Sequence, residues 1–153
     1  MRIALFGTGN LATHFIKAFK GLEAISCVQW IGRKENLALA NTTPYFNRFQ
    51  NDIEVDICIL AISDDHISEV AQSFTTNALV VHTAGAQSID ALAPHKRSGV
   101  FYPLQSFSQN QKLSWENIPI CFETKYSTDL DMLENLARQL SNEVYYMTTK
   151  QRL

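Results

Sequence analysis

Three residues near the start of the chain have the types and spacing of a phosphate-binding turn. Gly7, Gly9 and Ala12 stand in the segment FGTGNLA. In such a turn the first glycine permits the tight reversal, the second lets the main chain approach a pyrophosphate, and a small third residue keeps the helix close to the sheet. Residues 10–14 include no carboxylate, so the positive end of the helix dipole is available to an anion. The alternative is a bend between a strand and a helix that binds nothing.

A second candidate group lies at the end of the second predicted strand, where a dinucleotide's adenine ribose would be recognised. The segment reads WIGRKEN, with Arg33 and Lys34 where a carboxylate that holds the ribose hydroxyls would be expected. A guanidinium pairs well with a 2′-phosphate, which a carboxylate would repel. The pattern therefore favours NADP over NAD. NAD stays open, because Glu35 follows closely and because Arg33 can be a solvated surface charge.

Small and polar residues also follow the next predicted strands, whose carboxyl ends would face the same crevice. Ser63 follows the fourth strand, and Thr83 and Ala84 follow the fifth, near where a nicotinamide would lie. His82 and Tyr102 are candidates for a catalytic acid. Each has a structural alternative: a hydrogen-bonded histidine at a strand end, and a core tyrosine with its hydroxyl at the rim.

Other catalytic motifs are missing from the sequence. The four histidines do not have HExxH or similar spacing, and no Cys/His cluster is present, so no metal site is predicted. The chain also lacks the GxSxG elbow of serine hydrolases and the GK[ST] of a P-loop.

The elements that must position these residues alternate between short apolar strands and amphipathic helices, as in repeated strand–helix units. We predict an α/β fold: a doubly wound, mainly parallel Rossmann sheet with helices on both faces and extra C-terminal strands. The predicted strands are residues 2–6, 24–31, a ragged third strand after Pro44, 55–63, 78–83, 100–107 (leaving the sheet at Pro103), 118–123 and 143–147.

Helices are predicted from apolar stripes and start signals. One follows the opening turn, a short one precedes Pro44, one follows Asp64 or Asp65, and a short one is interrupted at Pro94. The last, STDLDMLENLARQL, is predicted to begin with a capping box of Thr128 and Asp131. The chain ends in TTKQRL, where no closing element is predicted.

Composition limits the class of protein. A chain of 153 residues that is 46% hydrophobic can bury one core, so we expect one domain over residues 1–153. A net charge of -2 and a pI near 6.1 give no reason to expect nucleic acid as a partner. No apolar run approaches the length of a membrane span or a signal peptide. Three widely spaced cysteines suggest reduced, buried thiols in a cytoplasmic protein.

Four segments together resemble a known family: IALFGTGNLATHF, VDICILAISDDHI, VVHTAGAQSIDAL and GVFYPLQSFS. They are similar to the Rossmann-like NADP oxidoreductases whose second domain is a helical module of unknown function. That group is similar in turn to pyrroline-5-carboxylate reductases and to 6-phosphogluconate and β-hydroxyacid dehydrogenases. The resemblance covers nearly the whole chain. The opening turn is common to many families, whereas HTAGAQS and YPLQSF in this order are more specific.

The resemblance implies roles for particular residues and for a second domain. Arg33 would hold the adenosine 2′-phosphate. Many relatives have His-Pro where this chain has Tyr102-Pro103, which weakens the case for a proton donor there. Relatives continue into a helical domain that completes the substrate pocket and the homodimer, and this chain stops near that junction. The pyrophosphate would be held by Gly7, Thr8, Gly9, Asn10 and Leu11, and the rest of the cofactor would lie along Ala61, Ile62, Ser63, Thr83 and Ala84.

The function expected from these observations is that of the cofactor-binding domain of an NADP-dependent oxidoreductase. It would transfer hydride to or from a small carbonyl, imine or hydroxy metabolite, and its catalytic unit would be incomplete in this chain. A non-catalytic nucleotide-binding or sensing module on the same fold is the alternative. A methyltransferase that uses S-adenosylmethionine is a third option. Such enzymes usually have an acidic residue before a differently spaced run of glycines, and this chain has Phe6 immediately before Gly7.

Overall fold

The computed structural model describes residues 1–33 and 42–153. Within these ranges eight strands form one sheet in the order β3-β2-β1-β4-β5-β6-β7-β8. The strands are β1 (Arg2–Phe6), β2 (Ser26–Ile31), β3 (Tyr45–Phe46), β4 (Ile57–Leu60), β5 (Leu79–His82), β6 (Ser98–Pro103), β7 (Ile120–Thr124) and β8 (Val144–Tyr146). The pairs from β3 through to β6 are parallel. β7 is antiparallel to β6, and β8 runs parallel to β7.

Three helices of the described residues lie between these strands in the chain, and a fourth follows β8. They are α1 (Asn10–Lys20), α2 (Ile67–Gln72), α3 (Leu130–Leu140) and the short α4 (Thr149–Arg152). Four 3-10 turns add to them, at Asp64–His66, Ile89–Leu92, Trp115–Asn117 and Ser127–Asp129. The helix predicted before Pro44 falls on residues 34–41, outside the described part of the chain.

Alternate residues of the central strands enter two separate cores, one on each face of the sheet. On β1, for example, Ile3 and Leu5 face a core completed by α1 and α3, whereas Ala4 and Phe6 face one completed by α2. All residues of β4 and β5 are buried, as expected when helices cover both faces of a parallel sheet. The predicted fold class, including the additional C-terminal strands, is confirmed.

The start of α3 differs from the prediction. Thr128 lies inside a 3-10 turn, and α3 begins one turn later with Asp129 at the N-cap position and no capping hydrogen bond from its side chain. The carboxylate of Asp129 accepts hydrogen bonds from Arg97 Nε and Nη2 at 3.0 and 2.6 Å instead. The capping box predicted for Thr128 and Asp131 is therefore wrong, because Thr128 lies inside the 3-10 turn and not at the N-cap position of α3.

The end of the chain also differs from the prediction. Residues 149–152 form α4 where no closing element was predicted, and Thr148 and Gln151 make a capping box at its start. The side chain of Arg152 turns inward against β7, where its Nη2 lies 3.1 Å from Glu123 Oε2. This ion pair is almost completely buried, and it attaches α4 to the sheet.

Candidate functional site

A cleft of about 1190 Å³ opens at the carboxyl ends of β1, β2, β4 and β5. The sheet order reverses between β1 and β4, and ligands of open α/β sheets bind at such a switch point. Ten of the eleven residues predicted from the sequence to contact a cofactor line this cleft. They are Gly7, Thr8, Gly9, Asn10, Leu11, Arg33, Ala61, Ile62, Ser63 and Thr83.

Gly7 makes the reversal between β1 and α1. Its φ of +113° is a conformation that residues with a side chain rarely adopt, and a Cβ there would lie 2.0 Å from the carbonyl oxygen of Ala61. The N–H of Gly7 donates to Ile31 O at 2.8 Å, and its carbonyl accepts from the indole N–H of the buried Trp30 at 2.7 Å. The turn is thus held by two hydrogen bonds to β2, which fix the direction in which α1 leaves the sheet.

Gly9 differs from Gly7 in its surroundings. It occupies the N-cap position of α1 with extended backbone angles, and a Cβ placed on it would meet no atom within 4 Å. The first turn of α1 contains no acidic residue, and no side chain caps it. The main-chain N–H groups at this end of the helix are therefore accessible from the cleft, with the helix dipole favouring an anion.

The ends of β4 and β5 form the adjacent wall. The N–H of Ala61 donates to Phe6 O at 2.9 Å, and Thr83 Oγ1 donates to Leu60 O at 3.3 Å. Ala84, the eleventh predicted residue, is buried and is not among the residues that line the cleft.

His82 is fully buried and lies outside the lining of the cleft. Its Nδ1 accepts the N–H of Ala84 at 3.2 Å, and its Nε2 donates to Ser88 O at 3.1 Å. Burial lowers its pKa to about 4, and Arg152 acts in the same direction. A neutral imidazole with both nitrogens engaged positions the main chain of Ala84 and Ser88.

Tyr102, the second candidate for a catalytic acid, also lies outside the lining of the cleft. It is half-buried on β6, and its ring packs against the main chain of Gly85, where an added Cβ would lie 2.5 Å from Tyr102 Cζ. This packing joins the segment after β5 to β6.

The segment that follows β6, residues 104–112, is attached to the start of α1. Asn10 Nδ2 donates to Phe107 O at 3.1 Å, and His14 Nε2 donates to Ser108 O at 2.7 Å. The rings of His14 and Phe107 are also in contact, with centroids 5.5 Å apart. Because Asn10 lines the cleft, these bonds place the 104–112 segment next to it.

Sequence reasoning missed the wall formed after β3. Residues 47–51 line the cleft, together with residues of α2 and its flanks such as Glu69, Val70 and Phe74. Phe49 contacts the rings of Phe6 and Phe74, with centroid distances of 6.1 and 5.0 Å. The pattern of alternating strands and helices could have indicated this wall, because residues after a third parallel strand must reach the same edge of the sheet.

Two further observations concern the described part of the chain. No three histidine, cysteine, aspartate or glutamate side chains in residues 1–33 and 42–153 converge as a metal site. Every helix in these ranges is too short or too polar to traverse a lipid bilayer. Glu35, the alternative ribose ligand, falls outside the described residues.

Comparison of the sequence with protein-family models and with curated proteins gives no match. Solved structures do match. An inferred NADP oxidoreductase from Bacteroides fragilis is 28% identical and superposes with a TM-score of 0.82, over 99% of this chain and 62% of that one.

Two more distant structures show the same fold. A pyrroline-5-carboxylate reductase from Streptococcus pyogenes is 18% identical with a TM-score of 0.76, over 98% of this chain and 59% of that one. A prephenate dehydrogenase from A. aeolicus, solved with NAD+, is 13% identical with a TM-score of 0.78, over 99% of this chain and 61% of that one. This chain therefore spans about three fifths of the length of these structures. The resemblance to Rossmann-like NADP oxidoreductases noted in the sequence is confirmed.

Proposed function

We propose that this chain is the NADP-binding domain of an oxidoreductase that acts on a small metabolite. The observation that carries the proposal is the convergence of the turn at Gly7–Leu11, of Arg33 and of the β4 and β5 ends on one cleft at the switch point of the sheet. The names of the similar structures, an NADP oxidoreductase among them, support the same assignment.

The described residues are compatible with a dinucleotide. The turn offers main-chain N–H groups and no carboxylate to a pyrophosphate, and the space in front of Gly9 allows close approach. Arg33, exposed at the end of β2, would pair with a 2′-phosphate. Phe49, Phe74 and Val70 supply apolar surface for an adenine.

When bound, the nicotinamide would supply the hydride chemistry, and the protein would bind it, orient it and exclude water. Thr83 is fixed to Leu60 O, and the main chain of Ala84 is fixed by His82, so the residues nearest the proposed nicotinamide position are rigid. We propose no catalytic acid in this part of the chain. His82 is neutral, and both of its ring nitrogens are engaged, so it is not proposed as the proton donor.

The experiment is a titration with NADPH and, separately, NADH, followed by calorimetry or nicotinamide fluorescence. We expect saturable binding that is tighter for NADPH. Gly9→Ala should weaken binding tenfold or more by pushing a methyl group toward the pyrophosphate. Gly21→Ala, at the other end of α1, is the matched control: its Cβ would make only an ordinary contact, 3.5 Å from Ala18 O, so binding should be unchanged.

Two outcomes would alter the proposal. Failure of the wild-type chain to bind either cofactor would reject the assignment of the cleft. Binding without hydride transfer to any member of a carbonyl and imine panel, in the longest natural form of the protein, would instead favour a sensing module.

A further inference from the structure

We infer that Arg48 is a second determinant of cofactor specificity, which together with Arg33 holds the 2′-phosphate of NADP. The inference rests on the proposed function and extends it to a residue in the loop after β3, a part of the cleft that the sequence did not indicate. Arg33 and Arg48 both line the cleft, and both are exposed.

The register of the sheet brings the two arginines together. β2 and β3 are parallel, with Ile31 paired to Phe46, and the N–H of Gly32 donates to Phe46 O at 3.1 Å. Arg33 directly follows Gly32, and Arg48 lies two residues beyond Phe46. Adjacent parallel strands lie about 4.8 Å apart, so both arginines follow neighbouring strand ends and line the same part of the cleft.

The loop that carries Arg48 is firmly attached to the sheet. The carboxamide of Gln29, which is fully buried on β2, accepts the N–H of Gln50 at 2.8 Å and donates to Gln50 O at 2.9 Å and to Ile53 O at 3.3 Å. Phe49 packs against the rings of Phe6 and Phe74, on the face of the sheet that α2 covers. With the two residues that follow Arg48 thus constrained, and with Arg48 O accepting from Gln50 Nε2 at 2.9 Å, its main chain has little freedom.

The charges of Arg33 and Arg48 in the cleft favour the binding of an anion. Among the described residues, the ion pairs are Arg97–Asp129, Arg138–Glu134 and Arg152–Glu123, so neither Arg33 nor Arg48 is neutralised by a described carboxylate. Glu69, on α2, is the carboxylate among the described residues that line the cleft. Two adjacent guanidinium groups repel each other, and a phosphate monoester, which carries nearly two negative charges at neutral pH, relieves that repulsion while accepting bidentate hydrogen bonds from each.

The test compares ligands that differ only in the 2′-phosphate. Wild type, Arg48→Gln and Arg33→Gln are titrated with NADPH and NADH, and with adenosine 2′,5′-bisphosphate and 5′-AMP as competitors. We expect Arg48→Gln to weaken the binding of NADPH and of the bisphosphate tenfold or more. The affinities for NADH and 5′-AMP should change less than twofold. Arg48→Lys should recover part of the loss, because it restores the charge without the bidentate geometry.

Arg138→Gln is the matched control, since it removes an exposed arginine from α3, and it should change none of the four affinities. Unchanged melting temperatures exclude misfolding as the cause of a loss. A preference for NADPH that is the same in wild type and Arg48→Gln overturns the role of Arg48 and leaves the proposed function standing. Absence of binding of both cofactors to wild type overturns both.

Discussion

Gly7 and Ala61 meet across the switch point of the sheet so closely that a single methyl group on Gly7 would lie 2.0 Å from the Ala61 carbonyl oxygen. The contact joins the turn after β1 to the end of β4, two elements that both line the cleft. The glycine at position 7 is therefore required by the fold itself, whether or not a ligand binds.

Gly7 and Gly9 both belong to the sequence motif, but they should differ in how much a substitution destabilises the fold. Gly7→Ala should lower the free energy of unfolding by at least about 2 kcal/mol, because it combines a positive φ with a main-chain clash. Gly9→Ala, in extended backbone with open space around it, should cost less than about 1 kcal/mol. Urea denaturation of both variants measures the difference, and equal losses would contradict the described geometry.

The buried His82 predicts a dependence of stability on pH. Its pKa is lowered to about 4 in the folded chain from an ordinary value of 6.5, so between these values the unfolded state binds a proton that the folded state does not. Stability should therefore fall with falling pH, and His82 should account for about 2 kcal/mol between pH 7.5 and 5. The loss of stability between pH 7.5 and 5 should be smaller in His82→Gln. Part of the loss should remain, because burial also lowers the pKa of His95. The same loss in variant and wild type would exclude His82 as the source.

The ion pair of Arg152 and Glu123 should contribute strongly to the attachment of α4. Their side chains are only 2% and 10% exposed, so Arg152→Met leaves a buried carboxylate without its partner and should destabilise the chain by about 3 kcal/mol. Adding Glu123→Gln should restore part of that loss. Arg138→Met breaks an exposed pair with Glu134 on α3 and should cost less than about 0.5 kcal/mol. Similar losses in the two arginine variants would disprove this distinction.

His14 should control the mobility of the 104–112 segment. His14→Leu keeps apolar packing against Phe107 but removes the hydrogen bond to Ser108 O, at a cost of about 1 kcal/mol. Hydrogen exchange followed by mass spectrometry should show faster exchange of amides in this segment, with β1, β4 and β5 as protected internal references. Unaltered exchange in this segment would mean that the hydrogen bond from Asn10 to Phe107 O and the contact between the rings of Phe107 and Trp115 are sufficient to hold it.

The central strands were predictable because their apolar runs are continuous. The run in β1 matches its observed bounds, Arg2–Phe6, and the buried run in β4 is shorter than predicted, Ile57–Leu60 rather than residues 55–63. Helix starts were less predictable. Thr128 and Asp131 have the residue types of a capping box, but Thr128 lies inside a 3-10 turn and α3 begins at Leu130. Asp129, at the N-cap position, pairs with Arg97, about thirty residues away in the chain, and no local pattern contains that contact.

The sequence by itself determined the α/β class, the turn at Gly7–Leu11 and the positions of the strand ends that line the cleft, because these depend on hydrophobic periodicity and on glycine at fixed short spacing. Only the tertiary structure showed that Gln29 constrains the loop bearing Arg48 and that Arg48 and Arg33 line the same cleft. It also showed that His82 has both nitrogens engaged. These relationships depend on strand register and on contacts between residues distant in the chain, which are set when the two faces of the sheet are packed.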